Sequence, residues 1–161
     1  MGLFGFLREK KPVHNDPELG ELVYSSSSGF WEGEAAFADA REPLVVALPG
    51  DESGPSVEGR AVYTELKERY ASLRNDIAGA LFELYDNYRS DAKEDDYTNG
   101  LPRLREPAEI WGTTSLDDVT IWSTEPGSTQ IELTYTFDWH EDHMFGVRLE
   151  NWSVTGVSID G

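Results

Sequence analysis

Between Val57 and Arg89 apolar residues recur every three or four positions, which is the spacing of one buried face on an α-helix. Charged residues fill the positions between them, as on a solvated helix face. Ser56 precedes the segment as a candidate N-cap, and Glu58 places a carboxylate in the first turn. The pattern predicts a long helix over residues 57–89 whose apolar face is formed by Val62, Leu66, Tyr70, Leu73, Ile77, Leu81, Leu84 and Tyr88.

The rest of the chain carries strand patterns. Apolar and polar residues alternate strictly from Gln130 to Trp139, so that one side of the predicted strand is apolar and the other polar. The alternation repeats after a predicted turn at 140–143, and a change of parity at Gly156 predicts a β-bulge. Further candidate strands, some shorter and less regular, are residues 22–25, 30–38, 44–48, 119–122, 145–149 and 152–159.

A long one-sided helix and a one-sided sheet each need a partner surface, so the simplest arrangement packs the helix across the sheet. We therefore predict an α+β fold. It consists of a curved, mainly antiparallel sheet of six to seven strands on one long helix, in the order ββ(β)αββββ. Residues 1–20, with Pro12 and Pro17, are predicted to form an N-terminal tail, and residues 21–161 a single domain.

Charge narrows the classes of partner. The 161 residues include 31 acidic and 13 basic side chains, for a net charge of −18. Nucleic-acid binding requires a basic surface, so we predict no nucleic-acid partner. A basic protein is the natural complement of an acidic surface. General salt adaptation would produce the same composition, and this alternative stays open.

The N-terminal segment helps to predict the cellular compartment of the protein. Its apolar residues, Met1 to Leu7, are too few for a secretory signal, and the basic residues follow them instead of preceding them. No stretch is apolar enough to cross a membrane, and cysteine is absent. We predict a cytoplasmic protein with no disulfides, no cofactor and no transmembrane segment.

One dense cluster contains side chains that could bind a metal ion or take part in catalysis. It consists of His140, Glu141, Asp142 and His143, which follow Asp138. Imidazoles and carboxylates are metal ligands, but this spacing lacks the helical His-Glu-x-x-His pattern of zinc hydrolases. A polar hairpin connection explains the cluster as well, so no metal site and no catalytic residue is assigned. We predict these four residues, with Trp139, as binding residues. Trp122 joins them because the alternation predicts that it faces outward.

The segment from Trp139 to Val147 resembles a family of uncharacterised bacterial cytoplasmic domains whose C-terminal hairpin reads Trp-Asp-x-Glu-His-x-x-Gly-Val. Trp31-Glu32-Gly33 matches that family's early Trp-x-Gly strand, and the long helix matches in position. This chain has His140 where Asp is usual and Asp142 where Glu is usual. Members of the family resemble immunity proteins of toxin systems, so the resemblance implies a binding protein and supplies no catalytic residue.

Three functional hypotheses follow. The first is a non-enzymatic binding protein, with an immunity protein that neutralises a basic toxin as its specific form. The second is a metal-binding protein or hydrolase that uses residues 140–143. The third is a scaffold or regulatory module that binds a peptide or protein. The sequence does not define the oligomeric state.

Overall fold

The computed structural model describes residues 11–160, so the apolar segment Met1 to Leu7 lies outside the described residues. The predicted helix is present as α1, Val57–Ser90, 34 residues long. Its N-cap is Ser56, as predicted, and the Ser56 hydroxyl accepts a hydrogen bond from the Gly59 N–H at 2.9 Å. Two short helical segments follow, α2 over Glu94–Thr98 and a 3-10 helix over Pro107–Gly112.

The described strands form a mainly antiparallel nine-stranded sheet. Eight of them lie in the order β1-β2-β3-β4-β6-β7-β8-β9, and β5 pairs with β4. The strands are β1 Val13–Asp16, β2 Gly20–Ser25, β3 Phe30–Ala35, β4 Leu44–Asp51, β5 Gly54–Pro55, β6 Thr114–Glu125, β7 Ser128–Phe137, β8 His140–Glu150 and β9 Ser153–Asp160. The α+β class and the packing of one long helix on the sheet are confirmed.

The predicted strand number and order were wrong. The structure has nine strands instead of six or seven, because Val13–Asp16 and Gly54–Pro55 also join the sheet. Val13–Asp16 falls within residues 1–20, which the sequence pattern suggested as a tail, and pairs with β2. Strands this short contain too few residues to show a periodicity in the sequence. They become identifiable only from their hydrogen-bonded pairing in the structure.

The chain connects β4 to β6 through α1, and these two strands are parallel, with Val46 opposite Val119. This crossover places α1 across one face of the sheet. The helix residues Leu66, Ile77 and Leu81 are fully buried there. They pack with the inward side chains of the strands into one core, which includes Trp31, Leu48, Leu133, Phe145 and Val147.

The turn predicted at 140–143 was also misplaced. The chain reverses at Asp138 and Trp139, and His140 already pairs with Phe137 as the first residue of β8. The alternation of apolar and polar residues continues unbroken through Trp139, so periodicity alone does not show that the strand ends at Phe137. The predicted bulge near Gly156 is confirmed, because the β8–β9 register shifts where Arg148 pairs with Gly156 and Leu149 with Val154.

A polar network interrupts the apolar core. The Asp39 carboxylate accepts hydrogen bonds from the Tyr70 hydroxyl at 3.0 Å and from Arg74 Nε at 2.6 Å. The Tyr70 and Tyr135 hydroxyl oxygens are 3.0 Å apart. Burial raises the pKa of both tyrosines, so they remain neutral hydrogen-bonding groups. The network ties the loop before β4 to α1 and β7.

Candidate functional site

The predicted binding residues lie in two separate places. Trp122 is near the end of β6, and Trp139 and His140 follow the end of β7. Because β6 and β7 are antiparallel, with Thr114 opposite Phe137 and Glu125 opposite Ser128, these places are at opposite ends of one hairpin. The sequence prediction treated them as one set, and the structure does not bring them together.

Trp122 belongs to the sheet face that α1 leaves uncovered, here called the outer face. It is the extra residue of a β-bulge, because Ile121 pairs with Ile131 and Ser123 with Gln130. Bulges redirect side chains, and Trp122 is 53% exposed, which agrees with the predicted outward orientation. Its ring meets the Phe30 ring edge to face at 5.3 Å.

Carboxylates lie on the same sheet face as this aromatic pair. Along β3, Glu32 and Glu34 alternate with the buried Trp31, so they lie on the outer face with Phe30. Asp117 occupies a second bulge of β6, between paired residues Leu116 and Asp118. Burial, followed by repulsion from Glu32 and Asp117, raises the pKa of Asp118, and the Thr120 hydroxyl that donates to it at 2.8 Å opposes this shift.

Basic residues are distributed quite differently from these acids. Arg148 is the single lysine or arginine in the described strands, and it lies 3.8 Å from Glu132. The helix α1, on the other side of the sheet, carries Arg60, Lys67, Arg69, Arg74 and Arg89. The net negative charge is therefore concentrated on the strands, and the outer face combines acidic side chains with two aromatic rings.

The second place lies where α1 ends. The Trp139 ring stacks on Phe137 at 4.8 Å, and the Tyr88 ring meets Trp139 at 5.5 Å and His140 at 4.9 Å. The Nδ1 atoms of His140 and His143 are 3.3 Å apart. Asp142 is exposed, and the structure does not describe the Glu141 side chain. In the described part of the chain no three His, Asp or Glu side chains form a group that would hold a metal ion.

A cavity of about 310 Å³ opens beside these rings. Tyr88 of α1, the turn residue Trp139 and His140 of β8 supply its aromatic walls. The segment between α1 and β6 closes it with Asp91, Ala92, Asp96, Asn99 and Leu101. Sequence reasoning missed this segment because residues 90–99 read as a charged surface connection, and no periodic signal indicated that they face an aromatic cluster.

Sequence reasoning also missed Phe30 as the neighbour of Trp122, and Glu32 as a residue close to Asp118. Phe30 is next to the Trp-x-Gly motif of residues 31–33. That motif indicated a strand, but it did not indicate which strands lie beside it. The two aromatic residues are more than ninety positions apart, and the parallel β4–β6 pairing brings them together.

Comparison with known proteins yields one match. The sequence profile of a domain of unknown function (DUF6985) covers residues 18–160. Neither the curated proteins nor the solved structures contain a match to this chain. No helix among residues 11–160 is long and apolar enough to span a membrane.

Proposed function

We propose that this chain, which belongs to the DUF6985 family of domains of unknown function, is a non-enzymatic protein that binds a basic protein partner. The observation that carries the proposal is the exposed Trp122 ring, packed against the half-buried Phe30 ring on an acidic sheet face. The specific biological form we propose is an immunity protein that covers a basic toxin. A scaffold that binds a basic peptide would use the same surface and differ only in its partner.

Aromatic side chains suit the centre of such an interface. Tryptophan is enriched among the residues that dominate binding energy, and these residues lie in well-packed, desolvated patches. The Trp122 side chain is already held by Phe30, so it loses little conformational freedom on binding. Carboxylates such as Glu32 and Glu34 at the edge of the pair would attract lysine and arginine and raise the association rate.

The crowding of acids at Asp118 supports a cationic partner. A protein gains nothing in stability by placing Glu32 and Asp117 near a half-buried carboxylate that they repel. A lysine or arginine from a partner would remove that cost. Complex formation would then lower the pKa of Asp118 and release a fraction of a proton, so affinity should fall as the pH drops through that pKa.

The test is affinity capture from native lysate at low salt, with elution by a salt step. The double variant Glu32→Gln/Asp118→Asn and the single variant Trp122→Ala are compared with the matched double variant Glu68→Gln/Asp76→Asn on the exposed face of α1. The two double variants change the net charge equally. We expect a basic protein that the wild type and the helix variant retain and both outer-face variants lose.

Equal capture by all four proteins, or a complex insensitive to salt, would contradict an electrostatic outer-face interface. The captured protein is then identified and tested for toxicity with and without this chain. Relief of toxicity supports the immunity role, and a non-toxic basic partner supports the scaffold role.

A second candidate function is metal binding by His140 and His143 at the start of β8. Two ligands at zinc–nitrogen distances of about 2.0–2.1 Å and a tetrahedral angle lie about 3.4 Å apart, and the His140 and His143 Nδ1 atoms are 3.3 Å apart. Stoichiometric metal in the purified protein, with a melting temperature that a chelator lowers, would support this candidate. A metal-free protein whose melting temperature does not respond to added zinc would rule it out.

A further inference from the structure

The cavity at the end of α1 lies on the helix side of the sheet and plays no part in the proposed outer-face interface. Its walls combine two kinds of group. Tyr88, Trp139 and His140 contribute aromatic rings, and Asp91 and Asp96 contribute carboxylates. Aromatic faces and carboxylates both attract cations, and a planar cation can contact both at once.

Asp91 is the clearest acceptor in this cavity. It is the C-cap residue of α1, and its carboxylate makes no hydrogen bond or ion pair with any residue in the range 11–160. The last turn of a 34-residue helix carries the negative end of the helix dipole, which also favours a cation. Asp96 accepts one hydrogen bond, from the Lys93 N–H to Oδ2 at 2.7 Å, so its other oxygen can still accept.

The same short segment already holds a guanidinium in this way. Arg103 lies over the Tyr97 ring, with its Cζ 3.9 Å from the ring centroid, and its NH2 group is 2.8 Å from a Glu94 oxygen. Arg103 therefore pairs with one ring and one carboxylate of α2. The cavity offers a similar combination of groups without a lysine or arginine among its lining residues.

We propose that this cavity binds a guanidinium group, presented either by free arginine or by an arginine side chain of a peptide. The planar cation would stack against the aromatic wall and donate paired hydrogen bonds to Asp91, with Asp96 as a second acceptor. A volume of about 310 Å³ is at the lower end of ligand pockets and suits one such side chain.

The first experiment compares two matched ligands by calorimetry and NMR. N-acetyl-arginine methylamide carries the guanidinium, and N-acetyl-citrulline methylamide replaces it with a neutral urea of nearly the same shape. We expect saturable binding of the arginine compound only. The indole N–H of Trp139, which is buried and has no hydrogen-bond partner among the described residues, provides a local NMR reporter. Equal binding of both compounds, or of neither, would overturn the proposal.

The second experiment compares an exposed aspartate that lines the cavity with a nearby exposed aspartate that does not. Asp91→Asn removes the unpaired carboxylate, and Asp95→Asn removes an exposed carboxylate of α2 that does not line the cavity. Loss of a charged hydrogen bond should weaken arginine binding about tenfold or more in the first variant. The second variant should change affinity less than twofold. Equal effects would show attraction by net charge alone and would overturn the site.

Free L-arginine distinguishes the two sources of the ligand. Binding at least as tight as that of the capped compound identifies a free amino acid or related small guanidine. Weaker binding, because the free carboxylate meets an acidic surface, identifies a peptide side chain. The outer-face variant Trp122→Ala should leave both affinities unchanged, so this proposal fails or holds separately from the outer-face interface.

Discussion

The two faces of the sheet differ in the burial of their side chains and in how their charged groups are paired. On the face that α1 covers, side chains such as Trp31 and Leu133 are buried, and the Asp39 network there is hydrogen-bonded. On the outer face a tryptophan projects from a bulge, and carboxylates stand close enough to repel one another. Packing and stability explain the first face. They do not explain the second, and proteins retain locally unfavourable features mainly where function requires them.

Two tryptophans provide the sharpest test of this difference. Trp31 is 1% exposed and its indole N–H donates to the Asp51 carbonyl at 2.9 Å, whereas Trp122 is 53% exposed. We expect Trp31→Ala to reduce the free energy of unfolding by about 3–5 kcal/mol and Trp122→Ala by about 1 kcal/mol or less. Urea unfolding followed by circular dichroism measures both. Similar losses would mean that Trp122 is a structural residue.

The next largest effect is expected from the polar network. Asp39 has a backbone φ of 61°, which asparagine also tolerates, so Asp39→Asn removes the charge without straining the turn. Arg74 and Tyr70 would lose a charged acceptor, and we expect a loss of about 2 kcal/mol. Asp76→Asn, on the exposed side of α1, is the matched control and should change stability by less than about 0.5 kcal/mol. Comparable values would show that the network contributes nothing specific.

A smaller effect is expected at the edge between the faces, where Arg41 donates two hydrogen bonds to Asp138, at 2.5 and 2.9 Å. This pairing lowers the pKa of Asp138 below its usual 3.8. A carboxyl group whose pKa is lower in the folded state than in the unfolded state stabilises the fold at a pH above its unfolded-state pKa. This contribution is lost as the pH falls through the folded-state pKa. Asp138→Asn should therefore lose about 0.2–1 kcal/mol at pH 7, and the loss should shrink as the pH falls below 3.8, which urea unfolding at a series of pH values measures.

The smallest effect should have the opposite sign. The pKa of Asp118 is raised above 3.8, mainly by burial, so its ionised form at pH 7 destabilises the fold. Asp118→Asn keeps an oxygen that accepts from Thr120 and should stabilise the protein by about 0.5 kcal/mol at pH 7. This gain should shrink as the pH falls through the raised pKa. Thermal unfolding between pH 4 and 8 measures it, and a loss at pH 7 would contradict the interpretation of the outer face.

The sequence determined the helices and strands wherever the spacing of apolar residues repeated over enough positions to be distinguished. The helix from Val57, its Ser56 cap, the alternation of β7 and the irregularity near Gly156 are all properties of neighbouring residues. So is the outward position of Trp122. Each depends on the geometry of one helix or one strand, which the order of apolar and polar residues encodes directly.

Only the tertiary structure decided which residues meet. The short strands Val13–Asp16 and Gly54–Pro55 exist because a neighbouring strand supplies hydrogen bonds, and the β8 strand begins at His140 because its pairing with Phe137 does. The parallel β4–β6 pairing brings Phe30 to Trp122, and the chain reversal at Trp139 brings Tyr88 and Asp91 to one cavity. Both candidate sites join residues far apart in the chain, and local periodicity carries no information about such distances.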